Sequence, residues 1–307
     1  MARKLSTYLK ELYGEKIYRL SLQSGCTCPN RDGSIVMPDG SRLTGGCTFC
    51  SEGGSGEFAA EVAPIEDQIE EAKKRIKAKT DAKSFIAYFQ SYTNTYGDIN
   101  RLKELYTKAA LRDDIKILSI GTRPDCVGPE VIGMLKELKK IKPVWIELGL
   151  QTIHEKTALE IHRGYTLDVF EDAYKRLKDA GIEVIVHVIM GLPGESKEDM
   201  LETIKYLSAL DPVLDGIKIQ NLQLLKGTQM YEDYKNTRLD DKNKYAFMSM
   251  EEYTDFVYAC LALLPKETVV HRMTGDGPRS LLVEPKWSTD KKRVLNMLTK
   301  KCDGLLL

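Results

Sequence analysis

Six times along this chain a short run rich in isoleucine, valine and leucine gives way to a stretch with a helical repeat. The apolar runs span 17–22, 84–89, 115–120, 144–150, 182–190 and 215–222. Helical periodicity covers 64–79, 99–111, 129–140, two segments parted by Gly164, and 196–210, where Ser196 is a fitting N-cap. Strands this apolar are buried on both faces, a property of parallel sheets joined by right-handed helical crossovers. Six units fall short of the eight of a closed barrel. The expected fold is therefore α/β, an open, partial (β/α)6 TIM-like barrel, with a doubly wound sheet as the alternative. Ligands meet the carboxyl ends of the strands in such folds.

Residues 223–307 leave the repeat, with a charged loop at 240–244, helices at 250–264 and 291–301, and a strand at 269–273. No low-complexity linker intervenes, so the chain reads as one compact unit. A barrel over 1–222 is followed by an extension over 223–307 that closes its open side. No apolar run approaches the roughly 20 residues that span a bilayer, and the start lacks the apolar core of a signal peptide. Seven cysteines without a framework spacing fit a reducing compartment, and a cytoplasmic location is expected. Forty-five basic residues balance 45 acidic ones, which gives no global support for nucleic-acid binding. Local basic faces remain, at Lys136, Lys139, Lys140 and Lys142 and at Lys286, Lys291, Lys292 and Arg293.

The cysteines that carry chemistry are Cys28, Cys47 and Cys50, the last two separated by two residues. Thiolates at that spacing bind adjacent irons of a cluster, or one metal ion. Three thiolates cannot complete a four-cysteine site, so a [4Fe–4S] cluster held by them keeps one iron open to a non-protein ligand. The alternative is zinc with Cys26 as fourth ligand. Cys26-Thr27-Cys28 suits zinc poorly, since the first pair of such a site is usually separated by roughly two to four residues. Cys126, Cys260 and Cys302 stand at no ligand spacing and read as small hydrophobes. The glycine-rich stretch after Cys50, Gly53-Gly54-Ser55-Gly56, suits a loop beside a cofactor.

The string Cys28-Pro29-Asn30-Arg31-Asp32-Gly33, followed by Gly46-Cys47-Thr48-Phe49-Cys50, resembles the cluster motif of radical S-adenosylmethionine (SAM) enzymes. It is most similar to the YhcC/YtqA-like branch, which is related to the catalytic subunit of elongator. The insertion from Ile35 to Leu43 is longer than that family's usual loop. The resemblance continues at Glu147-x-Gly149-x-Gln151-Thr152, Arg163-Gly164, Gly191-Leu192-Pro193-Gly194-Glu195 and Gly227-Thr228. In the tail it includes His271-Arg272-x-Thr274-Gly275-Asp276-Gly277 and Pro285-x-Trp287. It implies a radical SAM barrel, a [4Fe–4S] cluster on Cys28, Cys47 and Cys50, and SAM on its open iron. By the same resemblance Glu147 and Gln151 belong to a SAM-binding segment, and Gln151 meets the ribose or amino-acid part. Arg163 would meet the SAM carboxylate and His187 the ribose, with Phe49, Ile189 and Gly191 beside adenine.

Read from the residues alone, a surface ion pair is the favoured reading of Arg163, and a lone strand histidine such as His187 is more often a hydrogen-bonded core residue than a catalyst. Lys218 is a solvated strand end or, facing inward, a substrate or carboxylate contact. Gln90, Tyr92, Arg123 and Gln220 are expected at the mouth as substrate contacts, near Thr122, Asp125 and Gln223. No side chain stands out as the catalytic residue. The resemblance implies reductive cleavage of SAM to methionine and a 5′-deoxyadenosyl radical, with an electron donor such as flavodoxin or ferredoxin. Through elongator it implies tRNA as partner, with the wobble-uridine C5 side chain changed from carboxymethylaminomethyl to aminomethyl. Alternatives are radical SAM chemistry on a small metabolite or peptide, and a non-catalytic Fe–S or zinc protein that binds RNA.

Overall fold

The computed structural model describes residues 2–37, 39–54, 59–77, 80–237, 244–275, 277–302 and 304–306. The strands in chain order are β1 (Arg3–Lys4), β2 (Tyr18–Leu22), β3 (Asp32–Val36), β4 (Arg42–Thr44), β5 (Phe85–Phe89) and β6 (Ile115–Thr122). They continue with β7 (Val144–Gln151), β8 (Glu183–Met190), β9 (Gly216–Asn221), β10 (Leu224–Leu225), β11 (Val269–Arg272) and β12 (Leu282–Glu284). The first five helices are α1 (Leu5–Tyr13), α2 (Ile65–Lys77), α3 (Ile99–Ala110), α4 (Pro129–Lys139) and α5 (Glu155–Glu160). The others are α6 (Leu167–Asp179), α7 (Lys197–Ser208), α8 (Gln229–Asn236), α9 (Met250–Leu263) and α10 (Lys291–Lys301).

The main sheet is entirely parallel, in the order β1-β11-β9-β8-β7-β6-β5-β2. Six adjacent strands, from the β2 edge through β5, β6, β7 and β8 to β9, follow one another in chain order. A doubly wound sheet reverses its order at a switch point. This one never does, so it curls into a half-barrel of the partial TIM-like kind. Two strands join the sheet beyond the six of the repeat, one of them the tail strand expected at 269–273. The tail strand β11 pairs with β9, and the two-residue β1 pairs with β11. A two-residue strand has no periodicity to detect, and only its partner makes it one.

Helix ends follow local chemistry. Ser196 opens α7 and Ser249 opens α9, each through a capping box closed by Asp199 or Glu252. The expected helix over 64–79 is seen from Ile65 to Lys77, with 78–79 outside the described residues, as is most of the charged loop at 240–244. No helix among the described residues is long and apolar enough to cross a membrane.

Alternation along the strands builds two environments. Ala87, Leu118, Ile120, Ile146, Leu148, Val184, Val186, Val188, Ile217 and Ile219 join the core shared with the helices. Their neighbours face the barrel interior, which is layered. At the bottom, Ile86, Ile117, Trp145 and Ile185 pack with Leu9 of α1, which plugs that end. Above them lie Tyr88, Ser119, Glu147, His187 and Lys218, joined by hydrogen bonds. At the carboxyl ends an open cavity begins, lined by Gln90, Gly121, Gly149, Ile189 and Gln220.

Candidate active site

The loop after β2 is held from several sides. Gly46 has φ +93°, its N–H donates to the Asn30 carbonyl, and a Cβ there would lie 2.9 Å from Arg31 Nε. The Thr48 N–H donates to Ile161 O, while Thr48 O accepts from Met230 N–H in the first turn of α8, which Thr228 caps. The insertion read as a long loop is the β3–β4 hairpin. Leu43 and Ile35 close on Gly164, where a Cβ would lie 2.9 Å from Leu43 Cδ1. The hairpin thereby locks the cysteine loop onto the Arg163-Gly164 turn.

Cys28, Cys47 and Cys50 line one cavity. Their three sulfurs are not drawn within 4.8 Å of one another, as they would be around a single ion with Zn–S bonds of about 2.3 Å. The donor set fits a larger group, three thiols facing a common space. Burial pushes the Cys47 thiol up to about 12, against the pull of the Arg123 charge and the Asn30 amide, which donates to Cys47 Sγ at 3.3 Å. A thiol so placed becomes a thiolate when metal binds. Cys26 does not line this cavity. Its sulfur accepts from Arg101 Nη2 at 3.3 Å in a separate depression. Cys260 and Cys302 are fully buried, and Cys126 is half-buried beside Asp125.

Gln151 ends β7 at φ +70°, an uncommon angle for a side chain of its size, in a register shift against β8. Arg163 is buried and not a surface residue. It donates to the carbonyls of Tyr165 (2.9 Å), Leu150 (3.2 Å) and Thr152 (2.6 Å) and to Glu155 at 3.3 Å. Most of its guanidinium therefore ties the two helical segments to the end of β7. Tyr165 lies between Arg163 and Arg123, whose guanidinium carbons sit 4.6 and 4.9 Å from its ring centroid. Arg123 forms a two-bond pair with Asp125, at 2.9 and 2.7 Å. Tyr92 has φ 59°, and its ring packs against Gly54. Phe49 packs on the apolar cluster of Ile189, Leu192, Leu222 and Met230.

Glu147 is the hub of the polar layer. Its oxygens accept from Ser119 Oγ (2.8 Å), from His187 Nε2 (2.8 Å) and from Lys218 Nζ. Arg19 stands 4.0 Å away. Burial alone would raise the carboxyl, but the charge of Lys218, the His187 bond and Arg19 outweigh it and hold Glu147 well below the usual carboxylate range. Burial first, and then the Lys218 charge, lower His187 from 6.5 to about 4, so it is neutral at pH 7 and its Nε2–H donates to Glu147. Burial also pushes Lys218 well down, against the pull of Glu147. Lys218 is fully buried, so the solvated strand end is excluded, and its contacts are the Glu147 carboxylate and the Tyr88 hydroxyl at 2.9 Å.

The structure gathers Cys28, Cys47, Cys50, Phe49, Gln90, Tyr92, Arg123, Glu147, Gln151, Arg163, His187, Ile189 and Gln220 around one cavity. Lys218 lies beneath it. Gly191 lies just past β8, with its N–H against Met200 Sδ. Ser55, Gly56 and Asp276 fall outside the described residues. Sequence reasoning missed Arg19, Tyr88 and Tyr165, and gave Arg272 no role. Tyr88 carried a usable signal as the one hydroxyl-bearing residue of the apolar β5, whereas Arg19 shares β2 with Ser21 and did not stand out.

The sequence signature of the Radical SAM superfamily matches residues 41–207, and that of the Radical_SAM C-terminal domain matches 214–303. YtqA of Bacillus subtilis (strain 168) is 40% identical over 301 residues, covering 98% of this chain and 89% of YtqA. YhcC of Escherichia coli (strain K12) is 33% identical over 284 residues, covering 92% of this chain and 86% of YhcC. Among solved structures, the archaeal Elp3 of Methanocaldococcus infernus superposes with a TM-score of 0.65 at 21% identity. That match covers 79% of this chain and 60% of the Elp3 chain, and at such identity the likeness is one of fold.

Proposed function

The chain belongs to the radical SAM superfamily, whose cofactors are a [4Fe–4S] cluster and SAM, and from that premise we propose that it modifies the wobble uridine of tRNA. The reaction is a change of the C5 side chain from carboxymethylaminomethyl to aminomethyl. The observation that carries this reading is the meeting of the three cysteines and the Gln151–Arg163 segment at the carboxyl ends of one parallel sheet. When bound, cluster and SAM supply a 5′-deoxyadenosyl radical that abstracts a hydrogen atom from the substrate.

The protein's part is to hold and to exclude water. Cys28, Cys47 and Cys50 hold the cluster. Gln151, Arg163 and His187 orient SAM, with Phe49, Ile189 and Gly191 beside its adenine. Glu147 has both oxygens engaged within the barrel and acts on the cofactor through His187, fixing its tautomer. Gln90, Tyr92, Arg123 and Gln220 contact the substrate, and Lys218 sets the charge beneath them. A uridine flipped from its loop reaches this mouth as a single-stranded base. The tRNA substrate comes from the likeness to the elongator branch. A flavodoxin or ferredoxin donates the electron, and the enzyme works in the cytoplasm.

The test is anaerobic reconstitution with iron and sulfide, then dithionite and SAM with and without bulk tRNA. Mass spectrometry reads 5′-deoxyadenosine and the tRNA nucleosides. Cleavage of SAM together with a changed wobble nucleoside is the expected result. Cleavage with every nucleoside unchanged moves the substrate to a small molecule or peptide. Co-purifying zinc without any cluster overturns the reading.

A further inference from the structure

Among the described residues, the barrel interior carries more positive than negative charge. Glu147 is the one carboxylate lining the cavity among the described residues, whereas Arg31, Arg123, Arg163 and Arg272 all line it. Three of these arginines have local explanations. Arg123 is paired with Asp125, Arg163 with Glu155, and Arg31 lies over the cysteine loop, donating to Cys50 O and Ser51 O. Arg272 has none. It ends β11, donates to Gln220 Oε1 at 3.1 Å, and forms no ion pair among the described residues.

The layer below adds to the imbalance. Glu147 is shared by Lys218 and by Arg19, whose Nε is buried with no hydrogen-bond partner and whose Nη2 meets His271 Nδ1 at 3.0 Å. Both His187 and His271 are driven toward the neutral form, by burial first and then by neighbouring cations. Two cations, Lys218 and Arg19, thus flank the one carboxylate, and the charge of Arg272 reaches Lys218 and His187 from above without a carboxylate of its own among the described residues. Partly desolvated charge in excess is costly unless a counter-charge arrives.

From this imbalance we infer that the inner end of the cavity is an anion site, in which Arg272, oriented by Gln220, receives a carboxylate of the substrate. This rests on, and deepens, the reading of the cavity as a tRNA-modifying site. The bound base would enter with its C5 side chain leading, and the terminal carboxylate of a carboxymethylaminomethyl group would meet the planar fork of Arg272. Arg19 and Lys218 lie behind it and keep the field positive. Arg272 is thus a specificity residue, distinguishing a side chain that still bears the carboxylate from the product that has lost it.

The experiment uses reconstituted, SAM-loaded enzyme and two anticodon stem-loop RNAs, one with 5-carboxymethylaminomethyluridine and one with 5-aminomethyluridine at the wobble position. Wild type binds the first more tightly by roughly tenfold or more, as expected for a charge-assisted pair. Arg272→Gln reduces that ratio to about one, and Arg272→Lys keeps part of it. The ratio is read within each variant, with iron content alongside, so that general loss of folding is not mistaken for lost recognition. A wild-type ratio retained in Arg272→Gln overturns the anion site and leaves the tRNA reading standing.

If wild type binds neither RNA, the tRNA reading fails, and N-methylglycine titrated into the SAM-loaded protein decides the anion site by itself. Weaker binding in Arg272→Gln than in wild type, by roughly tenfold, supports it. Equal binding, or none that saturates in wild type, overturns it. Tighter binding of inorganic phosphate than of N-methylglycine overturns the carboxylate assignment.

Discussion

The cysteine loop and the ionic layer beneath the cavity lie in the same half-barrel but are assembled in different ways. The loop takes its ligands from one stretch of 23 residues, Cys28 to Cys50, and its geometry comes from local turns, a hairpin and a few backbone bonds to α8 and the end of α5. The ionic layer draws one residue from each of several strands, Arg19, Tyr88, Ser119, Glu147, His187 and Lys218, and has no local geometry of its own. If the three cysteines hold the cluster as proposed, altering one of them would remove a cofactor while the sheet persists. Altering one member of the layer leaves its partners buried without compensation. The loop is thus functionally critical and structurally separable, whereas the layer belongs to the fold.

The largest expected effect tests that separability. Cys47→Ala should lose the cluster iron and all SAM cleavage, with the far-ultraviolet dichroism of the sheet and helices retained. Cys302→Ala, in a fully buried site far from ligand spacing, should keep both iron and cleavage. Equal iron content in the two variants would remove the ligand assignment.

A smaller effect, on stability, probes the layer. Glu147→Gln leaves Lys218 and Arg19 facing each other without their carboxylate, a loss of about 3–5 kcal/mol for a broken buried pair. Urea unfolding reads it, and adding Lys218→Met to Glu147→Gln should recover part of the loss. No recovery in the double variant would show that the two side chains are not coupled.

The smallest effect is in pH dependence. His187 has a lower proton affinity folded than unfolded, falling from 6.5 to about 4. The unfolded chain therefore binds the proton first. Stability from this group is complete above pH 6.5 and is lost as pH falls towards 4, by on the order of 3 kcal/mol. His187→Gln keeps an N–H donor for Glu147 and should flatten the urea midpoint against pH across that window. An unchanged slope would assign the acid sensitivity to His271 or another group.

Much of this was legible in the chain itself. The β/α alternation and the apolar double-faced strands specify a parallel sheet, because burial on both faces forbids the polar alternation of a half-exposed one. The spacing of Cys28, Cys47 and Cys50 marked out three thiols, and these line one cavity because a single loop carries them all. Arg163 illustrates the limit. Its spacing alone favoured a surface ion pair, and only the fold shows it buried and bound to three carbonyls. Lys218 and Glu147 are 71 positions apart and meet because β7, β8 and β9 are neighbours in register. Arg272 lies on a strand that joins the sheet beside β9, out of the repeat. Local pattern determined the elements and the thiol loop. Which side chains share the barrel interior, and the excess of positive charge there, was decided by tertiary structure, because strand order and register bring together residues that no short-range rule connects.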